Sequence, residues 1–397
     1  ESHMIIGPLR HWTSCGKFFI QAEIRQGSEV KNLWYSVDER YSEYVCTEQH
    51  DAFVVGCLLL AMSQGEDLHI EGSLSERLFY NLSNYYIHII TRIIPSYREI
   101  KLKPQRLVSN RVGNPGGVAT GFSGGVDSFS VLHDHLSRGT PESYRLTHLF
   151  FNNVGSHGEW DSKKASILFE KRFGLIENFG RQTGLEFIKV DSNLSDILQM
   201  NFEQTHVPRN ASAVLLMQKL VSKYYYSSAF SYEDTFVAES SSMGHADPIA
   251  VPLLSTETLE FIPAGAQYSR VEKTQHVAAL AYAHKWLNVC ISPKDGRNCA
   301  GCTKCCRTLF TLELLGQIDR FAEAFDMETW RWARKWYVPE VILNRKVKES
   351  YVDEMRAKIK EQGKAFTLRE RAHALLVNIL PTGIYAGAKR FYGQLRR

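Results

Sequence analysis

The feature that most constrains the fold is an alternation of short apolar segments with longer segments of helical spacing in the middle of the chain. The apolar segments are VATGFS (118–123), YRLTHLFFN (144–152), LEFIKVD (185–191) and DTFVAES (234–240). Helical spacing follows Asp127 and continues at 161–184 and 210–228. Strands that alternate with helices of this length build parallel sheets covered on both faces. The sequence therefore predicts a doubly wound α/β domain.

The first 115 residues carry a different mixture of signals. Strand-like alternation occurs at 17–24, 32–37, 67–73 and 98–107, and helical spacing at 51–65 and 75–94, where Ser75 is placed to cap the helix. Residues 109–118 then combine one proline with three glycines, which is typical of a connection between domains. An N-terminal α+β domain is predicted over 4–115, and residues 1–3 are left out as the remnant of an expression tag.

Helical spacing continues to the end of the chain, and the charge changes there as well. Residues 331–397 hold sixteen Lys and Arg against six Asp and Glu, although the whole chain has a net charge of only +4. A basic helical C-terminal segment is predicted over 316–397, after a central domain over 116–315. Its WRWARKW motif (330–336) could hold phosphates and stack bases, whereas a solvated helix face explains most such charge runs.

Hydropathy and cysteine usage bear on the compartment. The longest uncharged apolar run is AFVVGCLLLAM (52–62), shorter than the ~20 residues that a membrane-spanning helix needs. We find no secretory signal pattern. Four of the eight cysteines lie close together near position 300, which suits metal ligation in a reducing compartment better than disulfides. We therefore expect no membrane association and a cytoplasmic location.

A glycine-containing loop lies where the first strand of the central domain turns into its helix. It reads Ser123-Gly124-Gly125-Val126-Asp127-Ser128. Ligands of doubly wound sheets bind at this edge, and successive N–H groups at a helix start bind anions. Asp127 beside a polyphosphate would be repulsive unless it binds a metal ion or caps the helix. The loop therefore predicts a phosphate site with Mg²⁺.

The loop resembles the S-G-G-x-D-S signature of the PP-loop ATP pyrophosphatases, which cleave ATP between the α and β phosphates. It matches neither G-x-x-x-x-G-K-[ST] nor G-x-G-x-x-G. The resemblance implies that ATP and Mg²⁺ bind here and that Asp127, Ser123 and Ser128 take part in the reaction. It assigns cofactor binding to Phe122, Ser123, Gly124, Gly125, Val126, Asp127 and Ser128. A glycine-rich turn that only happens to precede Asp-Ser is the alternative.

The cysteine cluster predicts a metal site. Cys290, Cys299, Cys302 and Cys305 are separated by eight, two and two residues. Gaps of two residues let a tight turn aim two thiolates at one ion, and four thiolates at ~2.3 Å form a closed tetrahedral Zn²⁺ site. Since no position is left for water, the zinc is expected to be structural. Reduced thiols without a metal are the alternative, and Cys306 is expected to be a packed residue.

This cysteine spacing after a PP-loop domain is similar to the arrangement in 7-cyano-7-deazaguanine synthases, the QueC family. HVPRN (206–210) resembles the family's V-P-x-R-N with one residue fewer. FFNNVGSH (150–157) keeps Phe151 and His157 of its F-x-Y-G-Q-x-H but not the Tyr-Gly. The resemblance covers the central range 116–315.

The resemblance implies a reaction. In that family ATP activates a carboxylate on 7-deazaguanine as an acyl adenylate, ammonia captures it, and a second ATP helps to dehydrate the amide to a nitrile. For this chain it implies ATP and a 7-deazaguanine acid as ligands, with adenine near residues 150–152. It also implies contacts from Phe151, Arg209, Asn210 and Lys273, although a solvated surface charge explains Arg209 and Lys273 equally well.

The segments outside the resemblance leave the acceptor open. An acceptor on a partner protein would suit the enlarged QueC-like proteins of antiphage defence operons. One hypothesis is nitrile synthesis with ammonia. A second passes the activated acyl group to an amine of a partner protein held by the flanking segments, and a third is an RNA-directed role for the basic tail. His157, His206, His245 and Asp247 are candidate acids or bases, but a lone histidine is more often a satisfied polar residue.

Overall fold

The structure is a computed structural model that describes residues 3–113, 115–136, 139–157, 162–290, 296–343 and 350–379. Contacts between residues divide the chain into two compact units. The first comprises Glu1–Ser123 and Asp127–Gln267, and the second comprises Gly124–Val126 and Tyr268–Arg397. The three predicted domain ranges stay predictions.

The described part of the first unit is built on one mixed sheet of eleven strands. In chain order these are β1 (His3–Ile6), β2 (Arg10–Ser14), β3 (Lys17–Gln26), β4 (Glu29–Asp38), β5 (Asp67–Ser75), β6 (Leu102–Val108), β7 (Gly117–Gly121), β8 (His148–Asn152), β9 (Glu186–Ser192), β10 (Val221–Ser227) and β11 (Glu260–Ala264). Ten strands follow the order β11-β10-β7-β8-β9-β4-β3-β1-β5-β6, and β2 pairs with β3. The ladders from β11 to β9 and from β1 to β6 through β5 are parallel. These ladders confirm an α/β fold with a mostly parallel sheet, which is compatible with a doubly wound arrangement.

The helices up to residue 267 are α1 (Asp51–Gln64), α2 (Glu76–Asn81), α3 (Ile87–Ile93), α4 (Val126–His135), α5 (Ser162–Thr183), α6 (Leu194–Leu198), α7 (His206–Leu215) and α8 (Asp247–Ala250). The long helix α5 presents phenylalanines to the sheet. Phe169 stacks on Phe151 with ring centroids 5.2 Å apart, and Phe179 stacks on Phe122 at 4.5 Å. These contacts hold the carboxyl ends of β7 and β8, where the glycine loop begins.

Residues before and after position 115 share one sheet and one core. β4 pairs antiparallel with β9, with Tyr35 opposite Ser192. The Tyr35 hydroxyl donates to Ser212 Oγ at 2.9 Å, and Gln218 Nε2 donates to the buried Asp51 Oδ2 at 2.9 Å. The N-terminal α+β segment is therefore an extension of the central sheet in the first unit.

Most predicted elements of the N-terminal segment are confirmed. β3, β4, β5 and β6 lie at the predicted strands, and α1 at the first predicted helix. The predicted helix over 75–94 is interrupted by a π-helical turn at Leu82–Tyr86 between α2 and α3. Ser75 precedes α2, but its hydroxyl donates to Asp51 Oδ2 at 2.6 Å and does not cap the helix.

One predicted helix and one predicted strand of the central domain are wrong. The helix expected over 210–228 ends at Leu215, and Val221–Ser227 form β10, between β7 and β11. Residues 234–240 are not a strand, and β11 begins only at Glu260. A continuous apolar run does not distinguish a buried strand from a buried helix by periodicity, and the three tyrosines at 224–226 favour a strand.

The second unit is helical in its described residues. Its helices are α9 (Arg270–Ala279), α10 (Ala281–Trp286), α11 (Thr303–Leu314), α12 (Met327–Leu343), α13 (Ser350–Glu361) and α14 (Leu368–Ile379). Arg334 of α12 forms ion pairs with Glu313 of α11 at 2.7 Å and with Glu370 of α14 at 3.0 Å. Over 316–343 and 350–379 these elements agree with the helical C-terminal prediction, while residues 344–349 and 380–397 of that prediction lie outside the described residues. Across the described chain, no helix is both long enough and apolar enough to span a bilayer.

Candidate functional site

A cavity of about 230 Å³ lies in the first unit at the carboxyl ends of β7, β8 and β10. Parallel sheets of this type bind ligands at that edge because strand ends, loops and helix starts meet there. The cavity is lined by Gly121, Phe122, Ser123, Asp127, Ser128, Phe150, Phe151, Asn152, Ser156, His157, Asn210, Tyr224, Tyr226 and Ser227. Four separate chain segments, at 121–128, 150–157, 210 and 224–227, therefore contribute to one pocket.

The glycine loop forms one wall of this cavity. Phe122 donates its N–H to the carbonyl of Phe150 at 2.9 Å and packs its ring on Phe179. Ser123, Asp127 and Ser128 lie at the cavity surface, and their assignment to phosphate and Mg²⁺ stays a prediction. Hydroxyl and carboxylate oxygens are the ligands that Mg²⁺ prefers, so the donor set fits a magnesium-bound polyphosphate.

Gly124, Gly125 and Val126 belong to the second unit. Gly124 has φ +78°, and an added Cβ would lie 3.3 Å from the carbonyl oxygen of Trp286. Its own carbonyl accepts the N–H of Asn288 at 2.7 Å. The left-handed backbone and this close approach explain why glycine stands at that position.

Asn152 brings an unused acceptor to the cavity. Its side chain is buried at 7% exposure and donates through Nδ2 to Asn210 Oδ1 at 3.3 Å. Asn152 Oδ1 has no hydrogen-bond partner among the described residues, and neither has Ser227 Oγ, which also lines the cavity. Unpaired buried polar atoms of this kind destabilise a fold by ~1–3 kcal/mol each.

Tyr226 and His206 form a second polar pair beside this wall. The Tyr226 hydroxyl lies 2.7 Å from His206 Nδ1. Burial raises the pKa of Tyr226 well above its usual value, so its hydroxyl stays protonated at neutral pH. Tyr226 therefore lines the cavity as a neutral hydrogen-bonding group.

His157 lines the cavity, but both of its ring nitrogens are engaged. Nε2 lies 3.0 Å from the carbonyl of Asn152, and Nδ1 lies 3.4 Å from Arg172 Nη1. Burial, with the nearby Arg172 charge, lowers the pKa of His157 to about 3. The ring is neutral, donates from Nε2 and holds the end of β8, so it is a positioning residue.

Arg209 and Lys273 lie outside the cavity lining. Arg209 is 2% exposed, and its guanidinium donates to Thr205 Oγ1, Ser195 Oγ and the carbonyls of Val154 and Met200 at 2.6–3.1 Å. Burial lowers its pKa to about 10. Lys273 is a buried residue of α9 in the second unit. Their assignment as ATP contacts stays a prediction, and Arg209 has a packing role in the first unit.

Two further acid–base candidates also lie outside the lining. His245 is stacked between Phe230 and Phe236, with ring centroids at 3.6 and 4.4 Å, and its Nδ1 lies 2.9 Å from the carbonyl of Asp234. Asp247 is buried at the start of α8. The satisfied-polar interpretation therefore fits His245.

The four predicted cysteine ligands converge in the second unit. The sulfur atoms of Cys290, Cys299, Cys302 and Cys305 all lie within 4.8 Å of one another, and the Cys290 and Cys302 sulfurs are 3.9 Å apart. Four thiolates at ~2.3 Å from one tetrahedral ion are spaced by about 3.8 Å, so the cluster can bind a metal and is compatible with zinc. Cys306 is buried beside it and is not part of the group.

Asparagine side chains hold the start of this cluster. Asn298 donates through Nδ2 to the carbonyl of Leu287 at 2.7 Å and accepts the N–H of Val289 at 2.9 Å. Asn288, which contacts Gly124, also accepts the N–H of Cys290 at 3.4 Å. Within the second unit, a short chain of hydrogen bonds therefore connects the metal cluster with the glycine of the loop.

Sequence reasoning gave no role to five residues of the cavity lining, namely Gly121, Ser156, Tyr224, Tyr226 and Ser227, and it named residue 152 only within the range expected near adenine. Asn152 stands at the variable second position of the F-x-Y-G-Q-x-H pattern, so the pattern carried no signal for its side chain. Tyr226 and Ser227 were hidden inside the wrongly predicted helix. No protein-family model, no curated protein and no solved structure matches the chain.

Proposed function

We propose that this chain is a PP-loop enzyme that uses ATP to adenylate a 7-deazaguanine carboxylic acid and then transfers the acyl group to a nitrogen nucleophile. The observation that supports this proposal is the strand–loop–helix turn, whose Ser123, Asp127 and Ser128 line a cavity at the carboxyl edge of the sheet. The S-G-G-x-D-S motif alone would also suit a turn without a ligand. Its position on a pocket wall favours the phosphate role.

The proposed reaction has two steps. A carboxylate is a poor electrophile, and bound ATP supplies AMP as a leaving group for it. In the first step a carboxylate oxygen bonds to the α-phosphorus while the bond to the β-phosphate breaks and pyrophosphate leaves. In the second step the nitrogen bonds to the acyl carbon, AMP leaves with the electron pair, and the nitrogen loses a proton to solvent.

The residues of this chain would act on charge and orientation. Asp127 is proposed to hold Mg²⁺ against the phosphates, and Ser123 and Ser128 are proposed to donate to phosphate oxygens. The unused Asn152 Oδ1 and Ser227 Oγ suit a heterocycle with N–H donors, such as the aminopyrimidinone edge of a deazaguanine. Zinc at the four cysteines would be structural, because a closed thiolate site offers no coordination position to substrate.

Two nitrogen nucleophiles are candidates for the second step. Ammonia would give the amide and then the nitrile. An amine of a partner protein is the second candidate, favoured by an N-terminal segment that extends the sheet of the pocket far beyond what a small-molecule reaction needs. Mass spectrometry of the products distinguishes the two.

The test is a product assay with purified protein, ATP, Mg²⁺, 7-carboxy-7-deazaguanine and ammonium. We expect AMP and pyrophosphate from the native protein. Asp127→Asn should lower AMP formation by about 100-fold or more, since it removes the charge proposed to hold the metal. Asp134→Asn on the same helix, outside the cavity lining, is the matched control and should leave the rate unchanged.

The products decide between the candidates. Formation of a nitrile together with AMP supports ammonia as the nucleophile. Formation of AMP without nitrile, or of an acyl adenylate that accumulates unreacted, supports a protein amine. If no AMP forms with this acid, the deazaguanine assignment is wrong.

A further inference from the structure

The strand β2 (Arg10–Ser14) has an open edge on the protein surface. All five of its residues are exposed, and Trp12 is exposed at 42%. It pairs with β3 along one edge, and no other described strand pairs with it. Sheets usually protect such edges with lysines, prolines, bulges or covering loops, because unpaired backbone groups recruit another chain.

The turn after β2 determines which backbone groups face that edge. Cys15 and Gly16 both have left-handed backbones, with φ +50° and +73°, and connect Ser14 to Lys17. This is the pattern of a two-residue type I′ hairpin, whose flanking residues exchange both backbone hydrogen bonds. Ser14 and Lys17 are therefore a hydrogen-bonded pair.

Hydrogen-bonded and non-hydrogen-bonded pairs alternate along an antiparallel ladder. Ser14, Trp12 and Arg10 consequently direct their N–H and C=O groups at β3. His11 and Thr13 direct theirs at the open edge. This edge thus offers two complete sets of donors and acceptors, separated by one residue.

We propose that β2 is the contact surface for a second copy of this chain, paired antiparallel about a two-fold axis at Trp12. In this register His11 of each copy lies opposite Thr13 of the other, so all the outward groups pair with one another. Trp12 lies opposite Trp12 of the second copy at a non-hydrogen-bonded position. Side chains approach most closely there, and aromatic pairs stabilise the sheet.

The strand is self-complementary in charge. Arg10 lies opposite Ser14 of the second copy, so no like charges face each other. Phe19 of β3 stacks on Trp12 with ring centroids 5.3 Å apart and an angle of 5°, and this contact orients the indole on the sheet face. A five-residue edge buries less than the ~800 Å² per partner of a standard interface, so the dimer forms at high protein concentration.

The register is tested by cysteine cross-linking in the full-length protein with Cys15→Ser. Opposite residues of a non-hydrogen-bonded pair have Cα atoms ~4.5 Å apart, within disulfide range. We expect an equal mixture of the Arg10→Cys and Ser14→Cys proteins to form a mixed disulfide dimer about tenfold faster than either protein alone. Equal rates in the mixture and in the separate proteins would overturn the proposal.

Association is tested by sedimentation velocity from about 1 to about 500 µM protein. The native protein should shift from monomer to dimer. Thr13→Pro removes only an outward N–H, which edge strands tolerate, and should stay monomeric. Trp12→Thr, which keeps a strand-forming residue, should weaken the dimer as well. A native protein that stays monomeric over this range, or a Thr13→Pro protein that dimerises like the native one, refutes the pairing.

Discussion

Arg209, which the family resemblance assigned to ATP binding, can be tested directly for a contribution to stability. Its guanidinium is buried and makes four donor contacts with neutral oxygen atoms. Arg209→Met keeps most of the side-chain volume and removes all four. Each net hydrogen bond contributes ~1 kcal/mol, and relief of the buried charge offsets part of the loss. We expect the free energy of unfolding to fall by about 3 kcal/mol.

Urea denaturation followed by tryptophan fluorescence measures this change. The matched control is Arg181→Met, because Arg181 lies on α5 with 76% of its side chain exposed, and its effect should be within about 0.5 kcal/mol of zero. The dissociation constant for ATP, measured by calorimetry on folded protein, should not change for either variant. An Arg209→Met protein of native stability whose ATP dissociation constant rises about tenfold would refute the packing role.

Three further predictions follow from the site. Burial holds the pKa of His157 at about 3, below its unfolded value, so the unfolded chain binds the extra proton. Stability should therefore fall by up to ~1.4 kcal/mol per pH unit as pH drops from ~6.5 towards 3, and His157→Gln should flatten that slope in denaturation curves at several pH values. We expect elemental analysis to find one zinc per chain, which Cys305→Ser should lose with a lower melting temperature and Cys306→Ser should keep. Asn152→Leu should weaken binding of the deazaguanine acid by about 10–100-fold in calorimetry and leave ATP binding unchanged, and an unaltered affinity for the acid would contradict the acceptor role of Asn152.

The position of Asn152 explains why a substitution there is informative. Its Nδ2 is engaged with Asn210, and its carbonyl accepts from His157. The side chain is therefore anchored through Nδ2 and the backbone through its carbonyl, while Oδ1 has no partner among the described residues. A preorganised acceptor discriminates by rejecting ligands that lack the matching donor, because the buried oxygen would then stay unpaired.

The sequence by itself determined the features that depend on neighbouring residues. A strand followed by Ser-Gly-Gly-Val-Asp-Ser and a helix is a local pattern, and the structure has β7, the loop and α4 at these positions. The cysteine spacing is equally local at 299–305, and the four sulfurs do converge. Alternating apolar and helical segments predicted the α/β class, because the spacing of apolar residues within a segment reflects the periodicity of the strand or helix that it forms.

Only the tertiary structure decided which distant residues meet. Asn152 and Asn210 are 58 residues apart in the chain, and the antiparallel pairing of β4 with β9 joins the N-terminal segment to the central sheet. The sequence also gave no sign that Arg209 would be buried. Such contacts depend on how elements pack after they form. An arginine in the sequence is equally compatible with an exposed position and with a buried one whose neighbours supply hydrogen-bond acceptors. Local patterns therefore predicted the glycine loop and the cysteine cluster, whereas only the packed structure showed that Arg209 is buried and that Asn152 meets Asn210.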